Sequence, residues 1–232
     1  MATALAHFLW VMPTVMLLIG PAPAPASAAD VLPGAKQRPG DSCADEPESQ
    51  LRRDFTDRYA IDSSATVVGF EVRSLGIFRQ HGRFGASFGS VSLDPQAAEG
   101  TLEVVVDART VQADSDAMLR IMRGAGFLNV EKFPEISFKA EQLNFGDGKP
   151  IRVEGQLTLL GATHPVPLKV TNYHCAPPAD GAVRRCMLDA TAIFKRSEFG
   201  MTGSMALAGN KIRLSIHAEA TRCPLFGEHL AG

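Results

Sequence analysis

Three runs of alternating apolar and polar residues follow one another closely, Ile136 to Leu143, Ile151 to Leu159 and Val166 to Val170. A period of two puts successive side chains on opposite faces of an extended strand, so each run has one face to bury and one to wet. Gly146-Asp147-Gly148 separates the first two runs with residues that tolerate positive φ in a reversal, and Gly161 with Pro165 and Pro167 marks a second reversal and an edge. Connections this short leave no room for a crossover helix. The segment is therefore an antiparallel meander and not a βαβ unit.

The same period recurs along the chain. Val68, Phe70 and Val72 share one face of Thr66 to Arg73, Phe84, Ala86 and Phe88 one face of Arg83 to Phe88, and Leu102, Val104 and Val106 one face of Thr101 to Val106. Ile212, Leu214, Ile216 and Ala218 share a face of the last run. Gly89 interrupts its run and predicts a bulge. Only Asp114 to Gly126 changes period: Met118, Leu119, Met122 and Ala125 fall at helical spacing, Asp114 or Ser115 can cap the start, and Gly124 and Gly126 end it. The expected architecture is all-β, an antiparallel barrel of about eight strands with one short helical insertion, because closure hides both edges of a meander. An eight-stranded barrel either fills its lumen or holds one ligand. Small inward candidates (Gly155, Ala86, Ala190, Ala192) beside large ones, and the adaptable Met118, Met122 and Met201, fit either outcome.

Lys and Arg number 23 against 25 Asp and Glu, a formal charge of −2, and the only adjacent basic pairs are Arg52-Arg53, Arg184-Arg185 and Lys195-Arg196. Binding through phosphate neutralisation needs a concentrated basic face, so a nucleic-acid partner is not expected. No nucleophile elbow, phosphate loop, dinucleotide fingerprint or two-His metal motif occurs. Catalytic residues, metal ligands and cofactors are accordingly assigned to none. His217 and Glu219 share a strand face that points outward if Ile216 and Ala218 point inward, which makes them a solvated pair. Arg196, Ser197 and Glu198 fit a polar motif closing a strand end.

Phe8 to Gly20 has the length of a signal-peptide core and is followed by Ala26-Ser27-Ala28, a small-x-small cleavage pattern, so the mature chain is expected to begin at Ala29. The run is shorter than the roughly 20 apolar residues that a membrane span requires. The resulting layout is a signal peptide over 1–28, a Pro-, Gly- and charge-rich lead-in over 29–57, a barrel domain over 58–221 and a tail over 222–232. All four cysteines lie in the exported part, where thiols are oxidised. Cys175 and Cys186 flank Asp180-Gly181 symmetrically, so a hairpin turning there sets them opposite one another, about 5.5 Å apart at Cα and within disulfide reach. That leaves Cys43 to pair with Cys223. A Cys/His metal site at His174, Cys175 and Cys186 is the competing reading.

Phe127 to Phe138 (FLNVEKFPEISF) and Gly155 to Leu168 (GQLTLLGATHPVPL) resemble the YceI family of lipocalin-like periplasmic proteins, whose patterns are F-x-D-V-x-K-Y-P-x-I-x-F and G-x-L-T-L-x-G-x-T-x-P-V-x-L. Asn129 stands where an acid is usual, and His164 where a basic residue is common. Tyr59, Ile61, Asp62, Val68, Phe70, Val72, Leu75, Gly76, Gly82 and Phe84 follow a further family pattern, with Ala65 and Ser74 in place of two His residues, Thr66 in place of Ser, and Gln80 where an apolar residue is usual. Arg123 and Phe127 keep part of the helical signature, in which Gly124 and Gly126 replace Ser and Asp. Arg196 to Met201 (RSEFGM) is close to R-S-D-F-G-M. The resemblance covers about Tyr59 to Ala220 and tips the lumen towards a ligand. It implies a periplasmic or secreted carrier for a long apolar molecule, such as an isoprenoid quinone, a prenyl lipid or another polyisoprenoid, with transient membrane contact. The lumen would be lined by Val68, Phe70, Val72, Phe84, Phe88, Leu102, Val104, Ile136, Phe138, Val153, Leu157, Leu159, Leu168, Ile212, Leu214 and Ile216. A lipid-modifying enzyme using the cavity and a ligand-free structural or stress module remain the alternatives.

Overall fold

The computed structural model describes residues 57–75, 77–85, 87–94, 99–176, 183–204 and 208–223. The expected signal peptide, Cys43, Ala86 and the tail after Cys223 lie outside the described residues. The strands are β1 (Asp57–Ile61), β2 (Val67–Ser74), β3 (Phe78–Phe84), β4 (Ser87–Asp94), β5 (Glu99–Asp107), β6 (Val111–Ala113), β7 (Glu135–Gly146), β8 (Lys149–Leu159), β9 (Ala162–Pro165), β10 (Leu168–Cys175), β11 (Arg185–Lys195) and β12 (Ala208–Arg222); helix α1 (Asp116–Arg123) lies between β6 and β7. Hydrogen-bonded neighbours run β1-β4-β5-β7-β8-β10-β11-β12, and β12 pairs back to β1. The meander thus closes into an eight-stranded antiparallel barrel.

Three of its strands are broken. The first part of β12 pairs with β2 and its last part with β1, so β1 and β2 act as one strand interrupted over Asp62 to Thr66. There the Asp62 carboxylate accepts from the Ser64 amide at 2.9 Å and from its hydroxyl at 2.6 Å, a local turn that competes with the ladder. β3 and β4, then β5 and β6, are interrupted beside it, and β6 pairs with β3. Beyond β5 the barrel wall therefore lacks a β6–β7 ladder among the described residues, and α1 packs beside β6. Ser115 caps the helix by accepting from the Met118 amide at 3.2 Å, and Gly124 ends it.

The break at Gly85 corrects one expectation. Phe84 is buried, but β4 buries Ser87, Gly89 and Leu93, so its inward parity restarts at Ser87 and Phe88 points outward, half-buried. Gly89 marks no bulge, since β4 and β5 stay in register across it. A Cβ there would lie 2.1 Å from the Glu103 carbonyl oxygen, so the glycine permits close strand approach. The register shifts fall instead in β7, β10 and β12. The Asp147-Gly148 turn has positive φ at both residues, 51° and 72°, as the sequence predicts. β9 pairs only with β8 among the described residues, the edge marked by Pro165 and Pro167.

Cys175 and Cys186 face one another in the β10–β11 ladder and are joined by a disulfide, with Cα atoms 4.0 Å apart. This is closer than the expected 5.5 Å. The Ala176 amide bonds the Arg185 carbonyl, which makes the cysteine rung a non-hydrogen-bonded one, where strands approach most closely. The bond displaces the metal-site reading. The Tyr173 hydroxyl, the one group there with a proton to give, lies 3.0 Å from Cys175 Sγ. Cys223 is also disulfide-bonded.

Candidate ligand-binding cavity

The inward face is not filled evenly. Tyr59, Leu93, Ala140, Leu143, Val153, Cys186 and Ala190 pack into a solid core in one half of the barrel, while the other half encloses a cavity of about 320 Å³. That volume is within the range of small-molecule sites. The change falls part-way along β7, β8 and β11. In β7, Ile136 and Phe138 line the space and Ala140 and Leu143 are packed; in β8, Leu157 and Leu159 line it and Val153 is packed; in β11, Phe194 lines it and Ala190 and Ala192 are packed.

Of the sequence-predicted residues the cavity brings together Val68, Phe70, Val72, Phe84, Val104, Ile136, Phe138, Leu157, Leu159, Leu168, Ile212, Leu214 and Ile216. Three are not on it. Phe88 points outward, and Leu102 and Val153 point inward but belong to the packed half. Gly155 and Ala192 are not on it either. The Phe138 ring lies over Gly155, where a Cβ would be 2.2 Å from a ring carbon, so a large residue there would break the packing rather than narrow the lumen.

Helix α1 closes the gap after β5 with Met118, Ile121 and Met122 on the lumen, a stripe at i, i+3 and i+4. Ile121 was not singled out from the sequence, although a helical wheel through Met118 and Met122 contains it. His81, Ile121 and Ser204 each line the cavity and are exposed, so the cavity reaches solvent beside β3, α1 and Ser204.

Near this mouth stands the least expected lining residue. Arg196 is 0 % exposed. Its Nε donates to the Gly209 carbonyl at 3.0 Å, Nη1 to those of Met201 and Gly203 at 2.9 and 2.8 Å, and Nη2 to that of Ala208 at 2.9 Å. Its guanidinium carbon lies 5.3 Å from the Phe127 ring centre. Four of five N–H groups are thereby placed on carbonyls. Burial pushes its pKa below the ordinary arginine value, although a guanidinium retains its proton. Gly203 brings this turn against the α1–β7 connection: its amide donates to the Gly126 carbonyl at 2.8 Å, and a Cβ there would lie 2.4 Å from that oxygen. Glu198 is exposed and pairs with Lys195 at 3.4 Å. Within the Arg-Ser-Glu run it is Arg196 that ties the end of β11 to the start of β12.

On the outer wall, His217 Nδ1 lies 2.7 Å from Asp189 Oδ1, and Nε2 lies 3.7 Å from Glu219 Oε1. The outward placement is as expected, with Asp189 an added member.

Residues 59–220 match the model of the YceI-like domain. The chain belongs to the YceI-like family. A UPF0312 protein of Enterobacter sp. (strain 638) is 26% identical over 167 residues, covering 71% of this chain and 86% of the relative. A UPF0312 protein of Yersinia pestis is 29% identical over 170 residues with the same coverage. Two solved structures share the fold. BcnA of Burkholderia cenocepacia superimposes with a TM-score of 0.56 at 19% identity, covering 69% of this chain and 99% of BcnA. A polyisoprenoid binding domain from Saccharophagus degradans gives 0.53 at 16% identity, covering 72% and 98%. The YceI-like chain thus has a barrel whose empty half is apolar and whose titratable lining groups, among the described residues, are His81 and Arg196.

Proposed function

We propose that this YceI-like protein is an exported carrier that holds a polyisoprenoid or another long-chain amphiphile in the barrel. The observation that carries the reading is the half-hollow lumen, an apolar cavity enclosed by eight strands and a methionine-bearing helix. An apolar space of this kind gains free energy by taking up an apolar chain. Each buried methylene contributes about 0.8 kcal/mol, so ten contribute about 8 kcal/mol before the cost of ordering the chain. The polar groups by the mouth, Arg196, Gln80, His81 and Ser74, suit an amphiphile whose tail points inward and whose head stays near water. A binding domain named for polyisoprenoids shares the fold and supports the ligand class. Export is supported by two disulfide-bonded sites, at Cys175–Cys186 and at Cys223.

The test is native mass spectrometry of protein purified from its own host, followed by organic extraction. A bound long-chain apolar molecule is the expected result. Protein that carries none, and that also fails to take up the fluorescent polyene cis-parinaric acid, would overturn the carrier reading.

A further inference from the structure

The tip joining β2 to β3 carries Leu75, Ile77 and Phe78, exposed by 59%, 77% and 55%. Exposed apolar side chains elsewhere, such as Ile151 and Ile193, lie on separate strands and need no explanation. A cluster at one tip does. Folding does not account for it. Leu75 has φ +50°, a left-handed conformation that leucine adopts only under strain, at a turn where the Ile77 amide bonds the Ser74 carbonyl at 3.2 Å. Asparagine or glycine would suit that backbone better, and any polar residue would suit the exposure.

The position of the tip accounts for it. Ser74 and Gln80, the residues bracketing it on β2 and β3, line the cavity, and Phe78 lies on the same strand face as Gln80, opposite Ser74. Ile121 of α1 lines the cavity while half-exposed at the same end. Ile121 thus carries the apolar lining out to the surface at this end, where Ser74 and Gln80 add polar groups to the lining. Around the tip stand exposed cations. Arg73 and Arg79 face one another across the β2–β3 ladder, and Lys211 and Arg213 lie on the adjoining β12, with Glu71 the acid among them. This end is basic although the whole chain carries −2.

We infer that the β2–β3 tip, with Ile121, docks on an anionic lipid bilayer and lets an apolar chain pass between membrane and cavity without crossing water. Apolar tips that enter the acyl boundary, ringed by Arg and Lys at headgroup level, match the two layers of such a surface. The loading role rests on the carrier reading; the docking itself does not.

Flotation of the full exported chain with vesicles of phosphatidylethanolamine and phosphatidylglycerol tests the docking. The wild type is expected to float with these vesicles and to bind phosphatidylcholine vesicles more weakly. Ile77→Ser with Phe78→Ser should reduce partitioning at least tenfold, and Ile151→Ser should leave it unchanged. Leu75→Asn should weaken partitioning while raising or preserving thermal stability, which separates docking from unfolding. Cis-parinaric acid added from solution should enter wild type and tip variants alike, whereas transfer from vesicles should slow in the variants. A wild type that stays out of the floating fraction, tip variants that float like the wild type, or a wild-type dimer that the tip variants turn into a monomer would overturn the inference. Flotation without cis-parinaric uptake would instead overturn the carrier reading and leave docking standing.

Discussion

Arg196 shows most directly how one residue shapes the site. Its charge is buried without a carboxylate among its bonded partners, and four carbonyls from Met201 to Gly209 converge on it. The guanidinium holds the turn that borders the cavity mouth. Arg196→Met should leave those carbonyls without donors and cost about 3–5 kcal/mol, since each orphaned buried group costs roughly 1–3 kcal/mol and neighbouring groups partly rearrange. Arg196→Lys, with a point charge in place of a fork, should recover only part of that. Urea unfolding midpoints of the two variants decide it, and equal midpoints would mean that the fork is dispensable. The outer-wall histidine gives a pH-dependent counterpart. The hydrogen bond to Asp189 raises the His217 pKa above its ordinary 6.5, while the bonds from His217 and then Asn172 lower the Asp189 pKa below 3.8. A raised imidazole pKa stabilises fully below the unfolded value, and that stability is lost as pH rises through the folded one. A lowered carboxyl pKa stabilises above the unfolded value and is lost as pH falls through the folded one. The pair therefore stabilises most between about pH 4 and 6.5. His217→Gln should lower the melting temperature within that window and remove the loss that the wild type shows as pH rises above it, measured from pH 4 to pH 8.

Among the elements, the strands were legible and their interruptions were not. Alternation in Ile136 to Leu143 and Ile151 to Leu159 reports a face, and β7 and β8 bury that face. Alternation cannot report a break such as the one at Gly85, which resets the parity and turns Phe88 outward, because the break falls where the pairing changes, from β2 and β6 beside β3 to β1 and β5 beside β4. The hairpin of β10 and β11 was legible for a different reason: two cysteines equidistant from Asp180-Gly181 fix the register by chemistry. The bond encloses a loop with a sequence separation of 11, for which the chain-entropy account gives about 3 kcal/mol. Cys175→Ser with Cys186→Ser should lower stability by about that amount in guanidinium unfolding, with the barrel still folded, because β11 is also held by β12 along its whole length. Unfolding of the double variant without denaturant would show that the disulfide, and not the ladder, holds this hairpin.

Across the whole barrel the unequal filling of its two halves is the property that a single strand does not encode. Val153 and Leu214 both sit inward at period two and cannot be told apart in the sequence. Their difference lies in what other strands place opposite them: Leu143 faces Val153 across its rung in the packed half, and Leu214 borders open space. The two should therefore respond oppositely to changes of volume. Val153→Ala removes atoms from a close-packed site and should cost about 2–3 kcal/mol, with lipid content unchanged. Leu214→Trp adds atoms where the usual overpacking cost of about 1–3 kcal/mol has no neighbour to act through. It should leave the lipid-free barrel within about 1 kcal/mol of wild type while it fills the space that a bound chain needs. Urea midpoints of delipidated protein, beside the lipid extracted from each variant as purified, read both quantities. If Leu214→Trp destabilised the lipid-free barrel as much as Val153→Ala does, the empty half would be a packed core in solution, and the cavity could not be the place where a chain is held.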